Sequence, residues 1–372
     1  MVAQQPPGRA GAQVRQNERV TDVLAETIAR IQPLDTEALT DAAARQAQLT
    51  KPAGALGVLE DVSIRLAGIQ RTCPPNPPAQ PAVAVFAGDH GVLAQGVTPW
   101  PQEVTAGMVE NFRAGGAAVN VLARATGASV LVVDIGVASD VAEDDVVISR
   151  KVRRATADLA EGPAMTREEA VKGLDIGIEV ANRLIDAGAD LLLTGDMGIG
   201  NTTPSAALIA ALTDSPAAIV TGRGTGVDDE TLARKTAVVT RATARVKNVE
   251  DPIELLAEVG GLEHAGLAGF ILGAAARGVP VLLDGVIAGS AALVAQRLAP
   301  TAIDYCFAGH RSVEPGHVTA LAQLGLRPLV DLDLRLGEGS GAALAVPLVQ
   351  AAARLLAEMA TFDSAGVANK DA

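Results

Sequence analysis

The stretch ADLLLTGDMGIGNTTPSAAL, residues 189–208, runs from a short apolar segment through a glycine-rich loop into an alanine-rich segment. Five mostly aliphatic residues read as a buried strand, the three glycines as a tight turn, and the segment from Thr202 onward as a helix. Just upstream, Thr166-Arg167-Glu168-Glu169 has capping-box spacing and opens a helix expected to run to about Ala187. Helix, strand, loop and helix in this order form one crossover step of a parallel sheet.

The same rhythm extends outward. Strands are expected at AVAVF (82–86), SVLVVDI (129–135), AAIV (217–220), PVLLD (280–284) and IDYCF (303–307), besides ADLLL (189–193). The expected fold class is α/β, a large domain with a mostly parallel, Rossmann-like sheet flanked by helices. A small helical domain is expected from the N- and C-terminal segments. Residues 19–71 have helical periodicity broken once at Lys51-Pro52-Ala53-Gly54, and residues 72–81 hold five prolines and read as a linker. The large domain then covers 82–341, and residues 342–372 supply a helix that joins the small domain before a frayed end. Pro347 is expected to kink that helix or mark its first turn. Residues 1–18, rich in Gln, Pro, Gly and Arg, read as a disordered tail.

Polar residues concentrate just after the strands, in AGDHG (87–91), TGDMGIGNTT (194–203), LDGVIAGS (283–290) and AGHRSVEPGH (308–317). Ligands of open α/β sheets bind outside the carboxyl ends of the strands, where helix N-termini aim N–H groups at anions. For any single loop, glycine and aspartate are ordinary turn residues; four such loops together mark one sheet edge as the site. TGDMGIGNTT lacks the Gly-Lys-Ser/Thr ending of a P-loop, and Thr203 stands where the third glycine of a dinucleotide fingerprint belongs. GRGTG (222–226) precedes a helix containing Lys235, so Arg223 and Lys235 are candidate phosphate cations, although a lysine beside Arg234 is more often on a solvated face. In LRLGEGSGAALA (334–345), Glu338 lies between two glycines on a tight loop.

Composition narrows the partners. The 372 residues are 49% hydrophobic and 20% charged, with a net charge of −13 and 2% aromatics. Nucleic acid and anionic membranes bind through Lys and Arg and are disfavoured; a small anionic metabolite needs only local donors. No apolar window spans a bilayer: Ala265–Ala276 is too short, and Pro280 and Asp284 interrupt the next. No signal-peptide pattern is read at the N-terminus, so the expected location is the cytoplasm. Cys73 and Cys306 are too few for a disulfide framework, and His90, His264, His310 and His317 have no paired ligand spacing. Neither a metal nor a cofactor is expected.

Seven ordered blocks resemble the nicotinate-nucleotide:dimethylbenzimidazole phosphoribosyltransferases: KPAGALGVLED (51–61), FAGDHGVLAQGV (86–97), PQEVTAGMV (101–109), TGDMGIGNTTPSAAL (194–208), GRGTGVDD (222–229), GHRSVEPGH (309–317) and LGEGSGAALA (336–345). The resemblance covers roughly residues 20–365 and implies transfer of a phosphoribosyl group from nicotinate mononucleotide to 5,6-dimethylbenzimidazole, with inversion at C1′. It also implies a homodimer, and Glu338 as the base that takes the benzimidazole proton. Substrate contacts are expected from Asp89, Thr98, Gly198, Gly200, Asn201, Thr202, Arg223, Lys235, Ser312, Arg335 and Gly337, with Gly198 and Lys235 facing the phosphate. Asp196 stands where relatives commonly carry glutamate, and one fewer methylene draws its carboxyl back by roughly 1.5 Å; a secondary catalytic role stays open. Gly107, where many relatives have glutamine, leaves the acceptor open to adenine or a phenol. A non-catalytic nucleotide-binding protein and a nicotinamide-dependent oxidoreductase are the competing classes.

Overall fold

The computed structural model describes residues 23–368; the tail read at 1–18 lies outside them. Residues 23–30 form α1, followed by α2 (Thr36–Gln48) and α3 (Val58–Gln70). Next come β1 (Pro81–Gly88), α4 (Glu103–Arg113), α5 (Ala118–Thr126), β2 (Ser129–Gly136), β3 (Val147–Ser149), α6 (Arg167–Asp186), β4 (Leu191–Met197) and α7 (Thr202–Thr213). The chain continues through α8 (Ala217–Val220), α9 (Asp229–Arg245), α10 (Pro252–Val259), α11 (Leu262–Ala276), β5 (Val281–Leu283), α12 (Val286–Leu298) and β6 (Cys306–His310). It closes with α13 (Pro315–Leu324), β7 (Pro328–Val330), α14 (Ser340–Glu358) and α15 (Phe362–Ala365).

The seven strands form one sheet in the order β3-β2-β1-β4-β5-β6-β7, and every pairing is parallel. All eight residues of β1 are buried, as a central parallel strand covered by helices on both faces requires. Strand order reverses between β1 and β4, where chain connections leave in opposite directions and a crevice opens at the carboxyl ends. The four loops singled out in the sequence follow β1, β4, β5 and β6, four neighbours in the sheet, so they meet along one edge.

Two expected strands differ: IDYCF (303–307) begins as a 3-10 turn, with β6 starting only at Cys306, and AAIV forms no strand. AAIV (217–220) is the short helix α8, entered from Pro216 and closed by a bond from Thr221 N–H to the Ala217 carbonyl. The sheet has no slot for a strand there, because β4 pairs directly with β5. Pro347 sits inside α14 rather than in its first turn. The strands β3 and β7, three residues each, complete the two sheet edges.

At the other end of the molecule, Arg45 of α2 donates to the carbonyls of Leu356 and Ala357 at the end of α14, at 2.5 and 2.9 Å. Ala38, Ala42, Leu49, Ala67 and Leu356 form a small apolar cluster there. By length and composition α14 could cross a membrane, yet more than half of it is buried inside the protein, against α3, α5 and the strands.

Candidate active site

The β4 loop is built first. Gly195 lies so close to the loop before α14 that a methyl on it would stand 2.6 Å from the Glu338 carbonyl. Beyond it, Gly200 takes φ +86°, and the chain turns into α7, whose first residue, Thr202, lines a cleft. Segments 196–202, 223–227, 285–287 and 335–337 line this cleft together with Val97, Thr98, Trp100, Lys235, His310, Ser312 and Glu314. It is open to solvent, with about 820 Å³ of space between its walls and the outside.

Lys235 is not on a solvated face. Its side chain is 2% exposed, and Nζ donates to Thr202 Oγ1 at 2.7 Å and to the Gly222 carbonyl at 3.0 Å. Burial lowers its pKa to about 8, against the raising influence of Glu314. Glu314 accepts from the Gly224 N–H at 2.6 Å and so pins the 222–226 loop beside the lysine. The Thr203 N–H is taken by the Gly200 carbonyl and Pro204 has none, so the ammonium beside Thr202 is the principal candidate group for an anion here.

Across the cleft, the loop before α14 has three consecutive residues in the left-handed region: Gly337 at φ +83°, Glu338 at +67° and Gly339 at +93°. For a glutamate this conformation costs about 1–2 kcal/mol, and such strain persists only where surroundings fix it. The fixing group is Asp284, fully buried after β5. Its Oδ1 accepts from the N–H groups of Gly341 at 2.7 Å and Ala342 at 3.0 Å, and its Oδ2 from Gly339 at 3.1 Å. The N-terminus of α14 is thereby spent on an internal carboxylate.

Glu338 is 5% exposed, and its Oε2 is buried with no hydrogen-bond partner in the protein. Burial raises its pKa to about 7; the Val119 backbone N–H at the start of α5 works against the rise and the Asp284 charge adds to it. Asp196 is also buried, its pKa raised well above the ordinary carboxylate range by burial and then by the Asp284 charge. Asn201 Nδ2 donates to its Oδ2 at 2.9 Å, while Oδ1 has no partner.

The resemblance thus brought together Thr98, Asp196, Gly198, Gly200, Asn201, Thr202, Arg223, Lys235, Ser312, Arg335 and Gly337, all of which line the cleft. Arg223 lines it while its guanidinium is held by the Val227 carbonyl and the Asp229 carboxylate. Asp89 is not brought there. It lies on the β2 side, where Oδ2 accepts from the Ala138 N–H at 2.8 Å, because the Gly88–Gly136 register holds that loop to the end of β2. Sequence reasoning missed Asp284, Glu314 and His310. All three stood in loops marked as site edges, but their partners are 55 to 90 residues away or, for His310, the ring of His317. His317 Nδ1 accepts from the Ser312 N–H at 3.0 Å; burial and then His310 lower its pKa to about 3, so it stays a neutral acceptor.

The family model described as "Phosphoribosyltransferase" matches residues 31–367. The chain belongs to this phosphoribosyltransferase family. It is 59% identical over 363 residues to nicotinate-nucleotide--dimethylbenzimidazole phosphoribosyltransferase of Salinispora tropica, covering 94% of this chain and 100% of that one. The protein of the same name from Chloroflexus aggregans is 56% identical over 349 residues, covering 94% and 99%. The crystal structure of CobT from Thermus thermophilus superposes with a TM-score of 0.87 at 52% identity, covering 90% of this chain and 99% of that one. In this phosphoribosyltransferase the buried lysine and the left-handed glutamate therefore sit on a scaffold shared along nearly the whole chain.

Proposed function

We propose that the protein transfers the phosphoribosyl group of nicotinate mononucleotide to 5,6-dimethylbenzimidazole, giving α-ribazole 5′-phosphate and nicotinate. The observation that carries the reading is a cleft shared by Thr202 and the buried Lys235 with Gly337, whose neighbour Glu338 has an orphaned buried oxygen. The phosphate sits at the start of α7, beside Thr202 and Lys235. Glu338, as the carboxylate, takes the N–H proton of the benzimidazole while its other ring nitrogen attacks C1′ from the face opposite nicotinate. The bond from C1′ to the pyridinium nitrogen breaks, its electron pair neutralises that nitrogen, and the configuration inverts. Glu338 then releases the proton to water. Asp196, its pKa raised by burial, lines the cleft with Asn201 donating to it and takes a secondary role.

A homodimer fits the exposed apolar side chains of Ile219, Val313, Val318, Leu332 and Leu336; light scattering reads it directly. To test the function, the protein is mixed with nicotinate mononucleotide and 5,6-dimethylbenzimidazole, and both products are followed by chromatography. Nicotinate and the riboside phosphate in equal amounts support the reading. Nicotinate released only when adenine or a phenol replaces the benzimidazole moves the acceptor, and no release with any acceptor removes the transfer.

A further inference from the structure

Behind the cleft, on the far side of the α7 loop, lies a polar cluster for which the transfer chemistry has no direct use. Glu263, in the first turn of α11, is fully buried, and its Oε1 stands 2.9 Å from both His90 Nε2 and His264 Nδ1. His264 Nε2 is 2.8 Å from Ser205 Oγ, and that hydroxyl is also 2.8 Å from the Asn201 carbonyl. Asn201 in turn donates through Nδ2 to Asp196. A continuous polar chain thus runs from a buried carboxylate on α11, through the first turn of α7, to a carboxyl in the cleft.

The cluster touches the phosphate loop at a second point. A methyl on Gly198 would lie 2.3 Å from the Gly88 carbonyl and 3.2 Å from His90 Nε2, so the imidazole forms the floor under that loop. Burial opposes charge on both members of the pair; even so, the Glu263 carboxylate raises the His90 pKa, and the two imidazoles hold Glu263 below the usual carboxylate range. Buried ion pairs of this kind are poor sources of net stability, since apolar residues of similar volume do as well or better. Hydrogen bonds of good geometry run from His264 through Ser205 to Asn201 and Asp196, and they give the set direction; Glu263 approaches the two imidazoles at 2.9 Å without completing one.

We propose that Glu263, His264 and Ser205 are positioning residues for the transfer reaction, fixing the first turn of α7 and, through Asn201, the aim of the Asp196 carboxyl. The inference rests on the functional reading above. The chain acts on the placement of the nucleotide relative to Glu338, so breaking it lowers kcat more than it weakens nucleotide binding. Misplacement on the ångström scale costs up to about 100-fold in rate.

The test uses the full chain with Ser205→Ala, His264→Gln and the double variant, and measures kcat, KM for nicotinate mononucleotide and the thermal midpoint. Ser205→Ala deletes one hydroxyl and substitutes a stronger helix former, so the fold is kept. The expected result is a fall in kcat of about 10-fold to 100-fold for Ser205→Ala with the midpoint nearly unchanged. The double variant is expected to be no slower than the slower single, because a chain is broken once. Wild-type kcat and KM in Ser205→Ala, or losses that multiply in the double variant, overturn the proposal. A wild type that forms no product sinks the functional reading instead. The chain is then judged by calorimetric binding of nicotinate mononucleotide to the same variants, where additive losses still refute it and coupled losses still support it.

Discussion

Two helices begin on glycine-rich loops at the carboxyl edge of the sheet, and they present opposite chemistry to one cleft. At the start of α7 the Thr203 N–H is taken by the Gly200 carbonyl and Pro204 has none, and Lys235, with a pKa lowered to about 8, stands beside Thr202 at the cleft. At the start of α14 the corresponding N–H groups are taken by Asp284. Beside it stands the buried Glu338, with a pKa raised to about 7. In the proposed function the first helix start serves as the anion site and the second carries the base. The deciding group in each is a buried side chain from elsewhere in the chain, a cation from α9 or a carboxylate from the end of β5.

The comparison is broken most sharply at the base. Glu338→Gln keeps the shape of the loop and removes the proton acceptor, so kcat should fall by about 10² to 10⁴ with nucleotide binding retained; single-turnover kinetics and calorimetry separate the two. At the anion side, Lys235→Met removes one charge-assisted contact to phosphate, and KM for nicotinate mononucleotide should rise by about 10-fold to 100-fold. A KM unchanged in that variant would place the phosphate elsewhere.

Asp284→Asn strikes the device that makes the two helix starts differ. It replaces a charged acceptor of three N–H bonds, so urea titration should show about 2 kcal/mol less stability. The loss of its charge should also let the Glu338 pKa drift back toward an ordinary carboxylate, moving the acid limb of activity to lower pH.

The pH profile sharpens the comparison without a mutation. A base acts when deprotonated, so activity is lost as pH falls through about 7 with Glu338. A phosphate cation acts when protonated, so activity is lost as pH rises past about 8 with Lys235. The expected kcat/KM is a narrow bell between these values. In kcat the alkaline limb moves higher, because bound phosphate favours the charged lysine. A profile flat across this range would dissociate both groups from the reaction.

Much of this site could be read from the chain. The loops after β1, β4, β5 and β6 were legible because strand, glycine-rich turn and helix are each set by neighbours within a few residues. AAIV misled because four apolar residues fit a strand and a helical turn equally well. The two edge strands β3 and β7 escaped notice because three residues carry too little pattern. Asp89 was expected at the substrate from the resemblance, whereas its Oδ2 accepts from the Ala138 N–H on the β2 side.

The sequence by itself determined the parallel α/β architecture and the sheet edge whose loops line the cleft, and through the resemblance it offered Glu338 and Lys235 as candidate groups there. Only the tertiary structure decided that Lys235 is buried against Thr202, that Asp284 occupies the start of α14, and that Glu263 and His264 stand behind Asn201. The physical reason is range. Turn chemistry and periodicity act between residues close in the chain, whereas the state of a buried charge depends on whichever distant side chains the fold brings within hydrogen-bonding reach.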